Sequence, residues 1–334
     1  MRAFVVSKYK EPLQEADVPE PVVGEHDVLV QVQAAGLNVV DEKIRQGSYK
    51  TLLRYELPQV MGSDVAGTVI GVGAKVRELA LGDQVYAQPR LDRIDRIGTF
   101  AERIAVPEAE VALKPASISL EEAGSLPLVA LTAWQALVER GNVQPGQRVL
   151  IHAGAGGVGT IAIQLAKHLG ATVATTASAG NADFVRELGA DSVIDYRNQD
   201  FEQLLDGYDL VLDSVGGETL EKSLRVLRPG GKVIGIVGPP DPAFAREKGL
   251  NPVMRLAMAA LSGKIRRQAR RLGVTYEFLF VHASGEQLRQ ITALVDEGVL
   301  RPVVGRVFAF DETVQAVQSL GKGGVRGKSV ITGA

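Results

Sequence analysis

Residues Arg148–Gly170 read RVLIHAGAGGVGTIAIQLAKHLG. A short apolar run, Val149–Ile151, leads into Gly154, Gly156 and Gly159 in G-x-G-x-x-G spacing, and apolar residues then recur at helical spacing from Ile161 to Leu169. A strand, a tight glycine turn and a helix in that order constrain the fold more than any other stretch of the chain. Side chains on the glycines would block the bend and the approach of a pyrophosphate, while the helix N-terminus offers unpaired N–H groups and a positive dipole end. The spacing alone is weak evidence, but here it has the strand before it and the helix after it. The segment therefore reads as a dinucleotide-binding unit with Gly154, Gly156, Gly157, Val158 and Gly159 as its phosphate loop. The alternative is a glycine-rich turn that binds nothing.

In NAD-binding units an acidic residue about 20 positions further on holds the ribose hydroxyls. The second strand here is expected at Thr172–Thr176, followed by Ala177, Ser178, Ala179, Gly180 and Asn181. The first carboxylate, Asp183, falls in the next helix. With no acid to repel a 2′-phosphate, and with Ser178 and Asn181 able to donate to it, the pattern favours NADPH over NADH. Against this, no Lys or Arg stands at the strand end; Arg186 is the first.

The chain has 334 residues, enough for two domains. Hydrophobic residues make up 46%, and the net charge of -2 gives no bulk attraction to nucleic acid. There is no cysteine, which excludes disulfides and thiolate metal sites and fits a reducing compartment. The start, MRAFVVSKYKEP, has charges close behind a short apolar run and does not read as a signal peptide. No apolar run approaches the roughly 20 residues of a membrane span. A soluble, cytoplasmic protein is expected.

Ala3–Ser7, Val28–Ala35, Gly67–Val72, Gln84–Ala87 and Arg103–Val106 read as strands between turn residues, with a helix from Val40 to Gln46. From about Glu121 strands alternate with helical patterns: Val149–Ile151, Thr172–Thr176, Ser192–Asp195, Leu210–Asp213, Lys232–Val237 and Glu277–Val281. Six such strands make an α/β, doubly wound parallel sheet. The tail, a helix at Leu288–Leu294 and a strand at Pro302–Phe308, fits no seventh repeat and is expected to return to the first domain.

AAGLNVVDEKIRQG (Ala34–Gly47), MGSDVAGTVIGVGAKV (Met61–Val76), GDQVYA (Gly82–Ala87), GTFAERIAVPE (Gly98–Glu108), LPLVALTAWQAL (Leu126–Leu137) and HAGAGGVG (His152–Gly159) follow one another. In this combination and order the chain resembles the medium-chain dehydrogenase/reductase superfamily, in its zinc-independent quinone oxidoreductase and alkenal reductase branch. The resemblance covers essentially the whole chain. It implies a GroES-like β-barrel domain (1–122 and 283–334) and a Rossmann domain (123–282) holding NADPH. Zinc members supply a metal ligand where this chain has Asn38 and a His where it has Ser63. The four histidines show no ligand spacing, and the four-cysteine zinc lobe is absent. A metal-free hydride transfer is expected, suited to acceptors that are already electron-poor, such as quinones or α,β-unsaturated carbonyls.

The resemblance also implies roles for single residues. Asn38 bonds the nicotinamide ribose or the substrate oxygen, or stabilises a turn; Asp41 is expected to be structural. Lys43 bonds the ribose or stabilises an enolate oxygen, or is a solvated helix lysine. Tyr49 gates or stacks on a flat acceptor, or packs on the barrel, and the Tyr49–Tyr55 loop shapes the pocket. Thr132 faces the nicotinamide site. Tyr196 matches a tyrosine that contacts the 2′-phosphate, although the Lys that relatives often carry near position 180 is absent. Val215, Gly216, Val237 and Gly238 line the cofactor cleft. Phe278 or Phe280 positions the carboxamide or simply fills the core. The insertion Phe244–Leu272, with Lys264, Arg266, Arg267, Arg270 and Arg271, is a lid, a patch for an anionic surface or acyl-CoA, or a solvated helix face. Rival readings are an enoyl-thioester reductase and a non-catalytic NADPH-binding sensor. The sixth strand leaves an apolar sheet edge, which relatives cover by two-fold pairing, so a homodimer is expected.

Overall fold

The structure, a computed structural model, describes residues 1–50, 55–91 and 98–334. Residues 51–54 of the Tyr49–Tyr55 loop lie outside the described residues. The chain divides into two compact units, Met1–Leu131 with His282–Ala334, and Thr132–Val281.

The first unit begins with β1 (Arg2–Val6), β2 (Gln14–Asp17), β3 (Asp27–Gly36), β4 (Gln59–Val60), β5 (Val65–Val72), β6 (Gln84–Ala87), β7 (Arg103–Pro107) and β8 (Val111–Leu113). β1 pairs with β2 and β4, while β3 is flanked by β5 and β7, all antiparallel. Alternation along β3 buries Val28, Val30, Val32 and Ala34 on one face. Near its end both faces are buried. A Cβ on Gly36 would fall on the Gly124 carbonyl oxygen and 2.8 Å from an Asp64 carboxylate oxygen, so only glycine lets β3 run this close to Asp64. Asn38 then turns the chain into the helix Val39–Arg45. Asp41 and Glu42 stand in its first turn and Lys43 and Arg45 in its last, matching the helix dipole.

The second unit holds β9 (Arg148–Ile151), β10 (Thr172–Ala177), β11 (Ser192–Asp195), β12 (Tyr208–Asp213), β13 (Leu227–Gly235) and β14 (Thr275–Phe278). They form a parallel sheet in the order β11-β10-β9-β12-β13-β14. Val149, Leu150, Val173, Val211 and Val233 are buried, as expected for strands with helices on both faces. The order reverses direction at β9, so the loops after β9 and β12 open at a topological switch point. β13 starts earlier than the expected Lys232, because the pairing jumps from Tyr208↔Leu227 to Leu210↔Lys232 and leaves Arg228–Gly231 as a bulge. β14 ends at Phe278, earlier than the expected Val281. The Phe278 N–H is taken by the Asp241 carboxylate at 3.1 Å.

The tail returns to the first unit. After the helix Gly285–Asp296, β15 (Val304–Ala309) pairs in parallel with β16 (Lys328–Thr332), and β16 lies antiparallel on β3 with Ile331 opposite Ala35. The sequence reading did not anticipate β16. Its register places Lys328 beside Leu37 and Asn38, where the Leu37 N–H bonds the Ser329 carbonyl at 2.9 Å. No helix among the described residues is long and apolar enough to cross a membrane.

Candidate active site

In the second unit the expected phosphate loop is built as a left-handed turn. Ala153 has φ +54°, a costly region for a residue with a Cβ. It is held there by its N–H on the Thr176 hydroxyl at 3.1 Å, and its carbonyl accepts from Gly156 N–H at 2.9 Å. A Cβ at Gly159 would fall on that same carbonyl, so the glycine is needed for the helix Gly157–His168 to pack against the turn. Gly156 is different. A Cβ there would meet only the Ala153 oxygen, at 3.3 Å, which leaves the space in front of the backbone open. Gly156 is the N-cap of the helix, and no side chain caps it. The N–H groups of Gly157, Val158 and Gly159 thus form an open, positively polarised end suited to a pyrophosphate.

His152 anchors the turn from below. Ser223 donates its hydroxyl to the Thr219 carbonyl at 2.7 Å, so it accepts from His152 Nε2–H at 2.9 Å, and Nδ1 accepts from Thr176 at 3.1 Å. Burial pushes the imidazole down to about 3. It is a neutral strut and not an acid–base group.

Beyond β10, Asn181 Nδ2 donates to Ser178 Oγ at 3.2 Å, and the Tyr196 N–H bonds the Ala177 carbonyl at 3.3 Å. Ser178, Asn181 and the exposed Tyr196 are therefore neighbours at the strand ends. Asp183 lies in the following helix and pairs with Arg186 at 2.8 Å. Arg197 adds a cation that the sequence reading missed, its guanidinium 5.8 Å from the Tyr196 ring centroid. The residue follows the next strand in sequence, and the β10–β11 pairing brings it to this corner.

Val215 and Val237 are exposed just past β12 and β13. A Cβ on Gly216 would sit 3.4 Å from Val237, so these two loops touch. Val215 and Gly216 are drawn in by the Asp213 carboxylate, which accepts both N–H groups at 3.0–3.1 Å. Gly238 packs against Tyr276, whose hydroxyl a Cβ would strike. Phe278 is buried edge-on to Phe244 at 5.2 Å, while Phe280 is half-buried and 6.1 Å from the same ring. Thr132 is buried in the helix Pro127–Trp134. The insertion forms the helices Pro242–Glu247, Pro252–Leu261 and Gly263–Arg271, and exposes Val253, Leu256 and Leu261.

In the first unit, Asn38 sits in a closed polar network. Asn38 Nδ2 donates to an Asp64 carboxylate oxygen at 2.8 Å and to the Gly36 carbonyl at 3.3 Å. The Lys328 ammonium donates to Asn38 Oδ1, to the Leu37 carbonyl at 2.6 Å and to Asp64 at 3.4 Å. The second Asp64 oxygen accepts the Leu128 N–H at 2.7 Å. Asp41 accepts the Asn38 N–H at 3.0 Å and the Ser63 hydroxyl, in the structural role expected of it. Asn38, Asp41, Ser63, Asp64 and Lys328 are all buried. Burial pushes the Asp64 carboxyl up and the Lys328 ammonium down, each partly countered by the other. Among the described residues no group of three His, Cys, Asp or Glu could hold a metal ion.

On the helix that Asn38 starts, Lys43 is half-buried and makes no ion pair among the described residues. Desolvation lowers its affinity for a proton. Tyr49, also half-buried, has its phenol pushed up by desolvation and stays protonated. The neighbouring Glu42 is instead spent on Arg45, with both contacts at 2.7 Å.

The chain matches the alcohol dehydrogenase GroES-like domain family over residues 24–116 and the zinc-binding dehydrogenase family over residues 188–331. It is 38% identical to a 2-methylene-furan-3-one reductase of Solanum lycopersicum, over 95% of this chain and 74% of that protein. It is 36% identical to an NADPH-dependent alkenal/one oxidoreductase, chloroplastic, of Arabidopsis thaliana, over 99% of this chain and 79% of that one. The quinone oxidoreductase structure from Coxiella burnetii superposes with a TM-score of 0.85 at 33% identity, over 100% of this chain and 99% of that chain. With the switch-point glycine loop and the β3–β16 barrel strands in place, the chain belongs to the quinone oxidoreductase and alkenal reductase branch of the medium-chain dehydrogenase/reductase superfamily.

Proposed function

We propose that this chain is an NADPH-dependent reductase that reduces a quinone or an α,β-unsaturated carbonyl without a metal ion. The observation that carries the reading is the phosphate loop with its uncapped helix end, set beside a strand end that bears Ser178 and Asn181 in place of a carboxylate. The names of the relatives point the same way. NADPH, when bound, supplies the hydride.

The residues that hold it are the N–H groups of Gly157, Val158 and Gly159 for the pyrophosphate, with Gly154 and Gly156 shaping the turn that brings it close, and Ser178, Asn181 and Tyr196, with Arg197, for the 2′-phosphate. Val215, Val237 and Gly238 form apolar walls, and Thr132, Phe278 and Phe280 set the nicotinamide end. Where zinc relatives hold a metal, Asn38 is already bonded to an ammonium and a carboxylate, so polarisation of an isolated carbonyl has no evident agent here. A conjugated acceptor needs less help, because it delivers the incoming charge to an oxygen. Lys43 or Tyr49 stabilises that oxyanion and returns a proton to it. The position of β14 at the end of its sheet, an edge that another copy can pair with, supports a homodimer, and the absence of cysteine supports a reducing compartment, which we take to be the cytoplasm. A turnover screen of NADPH against quinones, short enones and enoyl-CoAs tests the assignment. Turnover of a quinone or enone is expected, and turnover of enoyl-CoAs alone would replace it with the thioester reading.

A further inference from the structure

The 29 residues from Lys248 to Tyr276 carry seven Lys or Arg and no Asp or Glu, in a chain whose net charge is -2. They hold the helices Pro252–Leu261 and Gly263–Arg271, joined at Ser262, whose backbone stays in the right-handed helical region. The Ser262 N–H bonds the Met258 carbonyl at 3.0 Å, and the Arg266 N–H bonds the Ser262 carbonyl at 3.0 Å, so the helical ladder runs through the joint. The buried residues Met258, Ser262, Ile265 and Ala269 stand at i, i+4, i+7 and i+11, one helical face carried unbroken across it. The opposite face is therefore also continuous. Its first half is apolar: Val253 and Leu256 are 76% and 72% exposed, with Ala257 and Ala260 exposed beside them. Its second half is cationic, with Lys264, Arg267 and Arg271 exposed. Lys264 pairs with Glu221, but Arg267, Arg271 and the adjacent Arg270 make no ion pair among the described residues.

Single exposed apolar residues are ordinary, but a run of them at helical spacing on one outward face is not. Arg255 is the only polar residue of the helix Pro252–Leu261, whereas a surface helix ordinarily turns polar residues outward. We propose that this face is a docking surface for an anionic lipid bilayer, the Val253–Ala260 half dipping among the acyl chains and the Lys264–Arg271 half resting on the headgroups. The charge and the apolar half select that occupant together. A nucleic acid would pair with the arginines and offer nothing to Val253 and Leu256. A second copy meeting through the same face would set unpaired arginines against one another. A bilayer with anionic headgroups supplies both partners side by side, and long Arg stems cover apolar surface while their heads stay among phosphates. The inference concerns binding, so it stands apart from the reductase reading. What it adds to that reading is access to acceptors dissolved in lipid.

The test is co-sedimentation of the full-length protein with vesicles of phosphatidylglycerol and phosphatidylcholine in equal parts, against vesicles of phosphatidylcholine alone. Binding to the anionic vesicles, weakened by added salt and much stronger than to the neutral ones, is expected. Arg267→Gln/Arg271→Gln should lower the partition coefficient about 25-fold, at roughly fivefold for each cation removed. Val253→Ser/Leu256→Ser should lower it about tenfold with the charges untouched. All four side chains are exposed, so both variants should melt with the wild type and keep its NADPH affinity. No binding to the anionic vesicles, or equal binding to both kinds, would overturn the proposal. So would binding that either variant leaves intact, or binding to polyglutamate or an oligonucleotide as tight as to the vesicles. A dimer that Val253→Ser/Leu256→Ser converts to monomer would also overturn it, by giving the face to a second copy.

Discussion

The glycine loop after β9 and the Asn38 network beside β3 handle polar groups in opposite ways. At the loop, N–H groups at the start of the helix Gly157–His168 have no capping side chain, and the Gly156 backbone faces open space. At Asn38, five buried polar side chains satisfy one another, down to the three donors of a lysine. A site for an anion is made by leaving backbone donors unpaired where a ligand will pair them. A buried polar cluster is made by pairing its groups with one another, because buried groups left loose cost about 1–3 kcal/mol each. Lys43 is the exception in the first unit: half-buried, without a counter-ion among the described residues, and so available to a charge that appears during reaction.

The largest expected effect tests that exception. Lys43→Ala should lower kcat on an enone by about 100-fold, the scale of a lost oxyanion donor, and less on a quinone, whose product anion is delocalised. Its desolvated ammonium deprotonates below the ordinary lysine value, so wild-type kcat should fall as pH rises through that shifted pKa. Steady-state pH profiles should show this alkaline limb in wild type and not in Lys43→Ala. Next comes the closed network. Gly36→Ala forces a methyl group against the Gly124 carbonyl and Asp64, and should cost about 1–3 kcal/mol by overpacking, read as a lowered melting temperature.

On the open side the expected effects are on binding. Ser178→Asp places an anion opposite the 2′-phosphate and should shift the NADPH:NADH affinity ratio by roughly 10–100-fold toward NADH, by charge repulsion. Fluorescence titration of both cofactors reads it, and an unchanged ratio would remove Ser178 from the phosphate site. The smallest is Gly156→Ala. The fold has room for the methyl group, so melting should barely move, while NADPH affinity drops about tenfold because the backbone can no longer meet the pyrophosphate closely. A stability loss without a binding loss would erase the contrast between the two regions.

The loop was legible in the sequence because its parts are local. Strand, glycines and helix lie within Arg148–Gly170, and each local preference agrees with the others. The alternation of β3 and the absence of a carboxylate after β10 were legible for the same reason. The Asn38 network was legible only in part. Asn38, Asp41 and Ser63 stand in recognisable stretches, but Lys328 reaches them through β16, a strand hidden behind the glycine-rich turn Gly321–Gly327. No periodicity in Lys328–Thr332 announces what its first residue will touch. Arg197 is not legible from the residues after β10, because the cation arrives from the end of the neighbouring strand β11. The bulge Arg228–Gly231 hid the start of β13, since a Pro-Gly-Gly run reads as a turn.

The central claim is metal-free reduction of a conjugated carbonyl by NADPH, and one measurement addresses it most directly. Purified protein, chelated exhaustively and analysed for zinc, is given NADPH with a short enone, a quinone and a simple ketone. The account predicts undiminished turnover of the enone or quinone, little turnover of the ketone and no stoichiometric zinc. One zinc per chain, with activity lost on its removal and regained with the metal, or oxidation of simple alcohols with no enone or quinone reduction, would contradict it.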